Sequence, residues 1–190
     1  MKQAVALWFP FAVLGLSTAF SGLAEAQSLD ETLAEIDEAL EDIEDAVGET
    51  TAVTVAKSNY SCSKHQNLLI DGKKFAASQK TNKIGGKKAA LVIDASGHCN
   101  VVLRNLDIAG VIAINASGHA NILIKDSTVW GGNAAIVASG HANVAIRNST
   151  VTSKKLSIKA SGHANVHADK KSRVQGRVTT GRYANYVKQK

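Results

Sequence analysis

Hydrophobic and polar positions follow three successive rhythms along this chain. Residues 4–23 are almost wholly apolar. From Leu29 to Val47 the apolar residues Leu29, Leu33, Ile36, Leu40, Ile43 and Val47 recur at steps of four and three. That is the seam of an amphipathic helix over residues 28–47, with Gly48 as its stop. Beyond residue 50 the apolar residues alternate with polar ones in short Val- and Ile-rich runs, beginning with residues 51–56, and alternation of this kind predicts strands.

The alternation is registered by a repeat. Ser-Gly-His-x-Asn occurs at residues 96–100, 117–121, 139–143 and 161–165, with glycines 21, 22 and 22 residues apart. A fixed period of this size predicts stacked coils, in which one repeat position becomes a column of like side chains. Counting by alternation, Ile93, Ile114, Ile136 and Ile158 point inward, as do Ala95, Ala116, Ala138 and Ala160. After the turn Val101, Ile122, Val144 and Val166 point in, followed by Leu103, Ile124, Ile146 and Ala168. Asp94, Asn115, Val137 and Lys159 point out, and so do Arg104, Lys125, Arg147 and Asp169. Cys62-Ser-Lys-His65-Gln-Asn67 is a weaker copy with Lys64 in the glycine place, and residues 180–187 are a degraded last one. The Lys- and Gly-rich residues 80–88 then form an expected protruding loop.

Helical repeats need apolar residues at a period of 3.6, propeller blades need more residues per unit, and a left-handed hexapeptide helix needs a six-residue period. The remaining architecture is all-β: a right-handed, single-stranded parallel β-helix of about five coils spaced at about 4.8 Å, preceded by the acidic amphipathic helix. The coils resemble the pectate-lyase-like right-handed β-helix superfamily, and small secreted bacterial β-helix proteins in particular. The resemblance implies a stacked asparagine ladder at Asn67, Asn100, Asn121, Asn143 and Asn165. It implies no activity, because that architecture hosts lyases, hydrolases, adhesins and scaffolds.

Charge divides the chain beyond its apolar start. Lys2, the apolar run and Ala24-Glu25-Ala26 read as a secretory signal peptide over residues 1–26, against the rival reading of a membrane anchor. The signal peptide implies a secreted or periplasmic location. Residues 27–50 hold ten acidic residues and no Lys or Arg, whereas residues 51–190 hold 21 Lys and Arg against five Asp, a net +16. The acidic helix wants a partner along Leu29, Leu33, Ile36, Leu40 and Ile43. A homo-oligomeric coiled coil and docking onto the basic domain are both open.

Candidate chemistry lies in the columns. His98, His119, His141 and His163, with His65 before them, form a line of imidazoles that reads either as metal-binding or as a stacked turn residue. Cys62 and Cys99 lie one coil apart across the same turn, as a disulfide or as two buried thiols. Arg104, Lys125 and Arg147, continued by Lys170, Lys171 and Arg173, form a basic surface suited to acidic polysaccharide or membrane-surface phosphate. Aromatic residues are too few for a stacking platform on nucleic acid, and sequence-specific nucleic acid is not an expected partner. With no Glu among residues 51–190 and no nucleophile or phosphate-loop motif, no catalytic residue and no cofactor are expected. The expected role is a non-catalytic structural or binding module. An envelope metal-binding protein is the alternative, and a polysaccharide-active enzyme the third reading.

Overall fold

The computed structural model describes residues 52–53 and 57–189. The expected signal peptide, the acidic segment and its expected helix over residues 28–47 lie outside the described residues, as do residues 54–56. The rest is a parallel β-solenoid of about five turns, built from two seven-stranded parallel sheets.

Sheet A holds the short strands that begin at the repeat asparagine. They are β3 (Asn67–Asp71), β6 (Asn100–Arg104), β8 (Asn121–Lys125), β10 (Asn143–Arg147), β12 (Asn165–Ala168) and β14 (Asn185–Lys188). The two-residue β1 (Ala52–Val53) pairs with β3 and starts this sheet. Sheet B holds β2 (Tyr60–Cys62), β5 (Leu91–Ala95), β7 (Asp107–Ala116), β9 (Thr128–Ala138), β11 (Thr150–Ala160) and β13 (Arg173–Thr180). A short β4 (Lys83–Gly85) pairs with the first part of β7, and β5 pairs with the rest.

Register follows the repeat. Asn100 pairs with Asn121, Asn121 with Asn143, and Asn143 with Asn165, so the inward columns predicted by counting are ladders of neighbours, while the outward column Arg104, Lys125, Arg147 loses Asp169, which lies past the end of β12. The coil interior is filled by Ile93, Ile114, Ile136 and Ile158 from sheet B and by Val101, Ile122, Val144 and Val166 from sheet A, all at most 1% exposed. Burial on this scale contributes roughly 1.5–3 kcal/mol per large aliphatic side chain.

Two turns bend each coil. At the first, Gly97, Gly118, Gly140 and Gly162 take φ of 68–72°. A Cβ on Gly140 would also lie 2.9 Å from the Gly118 carbonyl oxygen of the coil below. Left-handed backbone and close coil-to-coil approach both demand glycine there. At the second, Asn105, Asp126 and Asn148 are themselves left-handed, with φ of 56°, 50° and 44°, a conformation that Asn and Asp tolerate.

The insertion between the first two coils differs from the expected loop. Most of its extra length is a helix, α1 (Gly72–Gln79), with Asp71 as N-cap accepting from the Lys73 amide at 2.9 Å. Lys80 closes it in the left-handed region, its N–H donating to the Ala76 carbonyl. Phe75 is the anchor, buried completely within the core cluster. Residues 83–85 then rejoin sheet B as β4 instead of protruding, because Ile84 has a place in the core.

Candidate functional site

The histidine column faces solvent. His65, His98, His119, His141 and His163 are all exposed, with ring centroids 4.8–5.0 Å apart and planes within 6° of parallel. Tyr183, 57% exposed, takes the imidazole's place on the last coil and stacks on His163 at 5.1 Å, with the Arg182 guanidinium 5.4 Å over its ring. The backbone sets this spacing: the His98, His119, His141 and His163 amides each donate to the coil below at 2.7 Å. Desolvation, and then repulsion from His98 and His141, hold the pKa of His119 below the ordinary histidine value.

The stacking limits what these rings can bind. An imidazole nitrogen offers its lone pair in the ring plane. Parallel planes nearly 5 Å apart share no point, so neighbouring rings as stacked do not chelate one ion. Among the described residues no group of three or more His, Cys, Asp or Glu is placed to hold a metal. His167 sits apart from the column, buried on β12.

Beside the histidines runs the asparagine ladder. Each Nδ2 donates to the Oδ1 one coil earlier at 3.0 Å, from Asn100 to Asn67, Asn121 to Asn100, Asn143 to Asn121 and Asn165 to Asn143. Asn185 adds a last rung to Asn165 at the same distance. Cys62 and Cys99, both buried, are joined in a disulfide with Cα atoms 5.9 Å apart.

The six expected basic residues occupy one corner of the coil without forming one column. Arg104, Lys125 and Arg147 are register partners at the ends of β6, β8 and β10. Lys170 and Lys171 lie in the turn after β12, and Arg173 opens β13 on the adjoining sheet. Acidic and amide groups are interleaved at this corner. Arg104 pairs with Asp71 at 3.0 Å, and Asn148 donates to both Asp126 and Asp169. Burial pushes the Asp71 carboxyl up, but hydrogen bonds from Lys73 and Asn105 and the Arg104 charge outweigh it and hold the pKa below the usual value.

Three features escape the counting argument. A serine ladder runs inside the second turn, where Ser127, Ser149 and Ser172 hydroxyls accept from the Leu106, Ser127 and Ser149 amides at 3.0–3.1 Å. Its sequence trace is a Ser at the same place after three successive corners. On the outer face of sheet A, Leu69, Val102, Leu123, Ala145 and His167 form a buried column between the asparagines and the basic residues. On the outer face of sheet B, Trp130 is half-buried, with the Lys87 and Lys154 ammonium groups 5.8 and 6.0 Å from its ring centroid. Lys87 is far from Trp130 in sequence and reaches it because β4 and β5 both pair with β7, the neighbour of β9.

No protein-family model matches this chain, and neither the curated proteins nor the solved structures contain a significant match to it. The solenoid therefore stands on its own geometry, and kinship with pectate-lyase-like proteins gains no support from comparison.

Proposed function

We propose that the solenoid is an exported, non-catalytic binding module for an acidic polysaccharide. One arrangement carries the reading: Trp130 flanked by Lys87 and Lys154 on the outer face of sheet B. Both ammonium groups lie over the indole ring, drawn there by its electron-rich face, and the cations gathered at this one place can pair with the carboxylate or sulfate of an acidic sugar. The net +16 over residues 51–190, less the ten acidic residues of 27–50, leaves +6 over residues 27–190, a charge of the sign that attracts a polyanion.

The acidic side chains support a non-catalytic role. Asp71 holds Arg104, Asp94 accepts from Asn115, and Asp107 lies 3.9 Å from Lys83. Asp126 and Asp169 bind the Asn148 side chain and backbone, and Asp169 also takes the Ser172 amide. Among the described residues each carboxylate thus has a structural partner, whereas glycosidic cleavage by paired carboxylates needs two of them facing one bond.

Once residues 1–26 are removed, Trp130 is the sole tryptophan of the chain. Its emission reports the site directly. Titration with polyuronate or sulfated polysaccharide at low salt is expected to shift that emission saturably, and neutral dextran is not. The pair Lys87→Ala and Lys154→Ala is expected to weaken binding roughly tenfold, about 1.4 kcal/mol. Emission unchanged by every acidic polysaccharide would overturn the reading.

A further inference from the structure

The outer face of sheet A carries a contradiction between direction and burial. Val102, Leu123 and Ala145 alternate with the core residues of their strands and so point away from the coil interior. They are nonetheless completely buried, and Leu69 and His167 on either side are 5% and 3% exposed. Among the described residues every strand belongs to one of the two sheets, and the helix α1 follows β3 at the first corner and turns Phe75 into the core.

We infer that this face is the docking surface for the chain's own acidic segment, residues 28–47, laid as a helix along the solenoid axis. Length agrees. From β3 to β14 the column advances five strand spacings, about 24 Å, and the seam from Leu29 to Val47 spans about 27 Å as a helix. Connection agrees as well. Ala52 pairs with Leu69 at the first coil, and the four residues 48–51 reach at most about 14 Å. The segment therefore runs backwards, with Val47 over the first coil and Leu29 over the last.

Charge then selects this orientation. On the helix, the positions following the seam on one side are Asp30, Asp37 and Glu44, and on the other side Thr32, Ala39 and Ala46. One flank is acidic and the other is small and uncharged. The sheet is asymmetric in the same way, with Arg104, Lys125 and Arg147 on one side of the apolar column and the asparagine ladder on the other. Parallel crossover connections are right-handed in about 98% of cases. Over a right-handed coil, a helix running from the last coil to the first places its acidic flank above the basic residues. The reverse direction would set carboxylates over the asparagines. Connectivity and charge thus demand the same direction, independently.

The surface is separate from the Trp130 face, so this docking and polysaccharide binding stand or fall separately. Hydrogen exchange and sedimentation of the chain from residue 27 onward test it. Residues 29–47 are expected to be protected at least tenfold over free-chain exchange in a monomer, and Ile36→Asp is expected to abolish that protection while leaving sheet protection intact. The reversal Asp30→Lys, Asp37→Lys and Glu44→Lys is expected to lower protection. Adding Lys125→Glu and Arg147→Glu is expected to restore it, which a merely unfolded variant cannot do. Free-chain exchange over residues 29–47, or protection that appears only in a dimer and vanishes on dilution, would overturn the inference.

Discussion

His119 has a stacked imidazole above and below, and its protonation depends on both. His119 lies between His98 and His141 at 4.8 and 4.9 Å. Its pKa is lowered by desolvation first and by repulsion from those two rings second. A base whose folded pKa lies below its unfolded value binds fewer protons when folded. Stability therefore rises with pH through that interval, and is lost as pH falls below the unfolded value of about 6.5. The melting temperature is expected to drop between pH 7.5 and pH 5, and His119→Gln to reduce the drop. A melting temperature flat across that range would contradict the repulsion. The identity of this column was legible in the sequence, because the spacing of His98, His119, His141 and His163 requires it. Its exposure was not, since alternation fails within a turn.

At the scale of the element, the turn decides whether coils can stack. Gly140 is left-handed, and its missing Cβ leaves room for the Gly118 backbone. Gly140→Ala is expected to cost at least the 1–2 kcal/mol of left-handed backbone, with more for the 2.9 Å contact. Urea unfolding measures the loss. Gly132, whose added Cβ would meet no atom closer than 3.5 Å, is expected to accept alanine with little change. The asparagine ladder works on the same element by joining successive turns through side-chain amides at 3.0 Å. Counting predicted the strands well because each buries one face in the coil. It misplaced residues 80–88, where a single buried Ile84 and the pairing of β4 with β7 return the chain to the sheet. One apolar residue among lysines and glycines is too weak a pattern to announce a strand.

Across the whole molecule, stability is a sum over coils and their contacts, so the ends matter most. The disulfide from Cys62 to Cys99 closes a separation of 37 residues and ties the first coil to the array. A loop of that length corresponds to about 4 kcal/mol in the chain-entropy estimate. Reduction, or Cys62→Ala with Cys99→Ala, is expected to lower stability by a few kcal/mol, read by denaturant unfolding with and without reductant. The period, the inward columns, the glycine turns and the charge division were determined by the sequence itself. Each follows from local geometry repeated at a fixed spacing, and repetition turns local geometry into architecture. The burial of Val102 and Leu123 outside the coil, the approach of Lys87 to Trp130 and the parallel planes of the histidines were decided by tertiary structure. They depend on which surfaces meet across coils and sheets, and alternation along one strand carries no information about what lies above it.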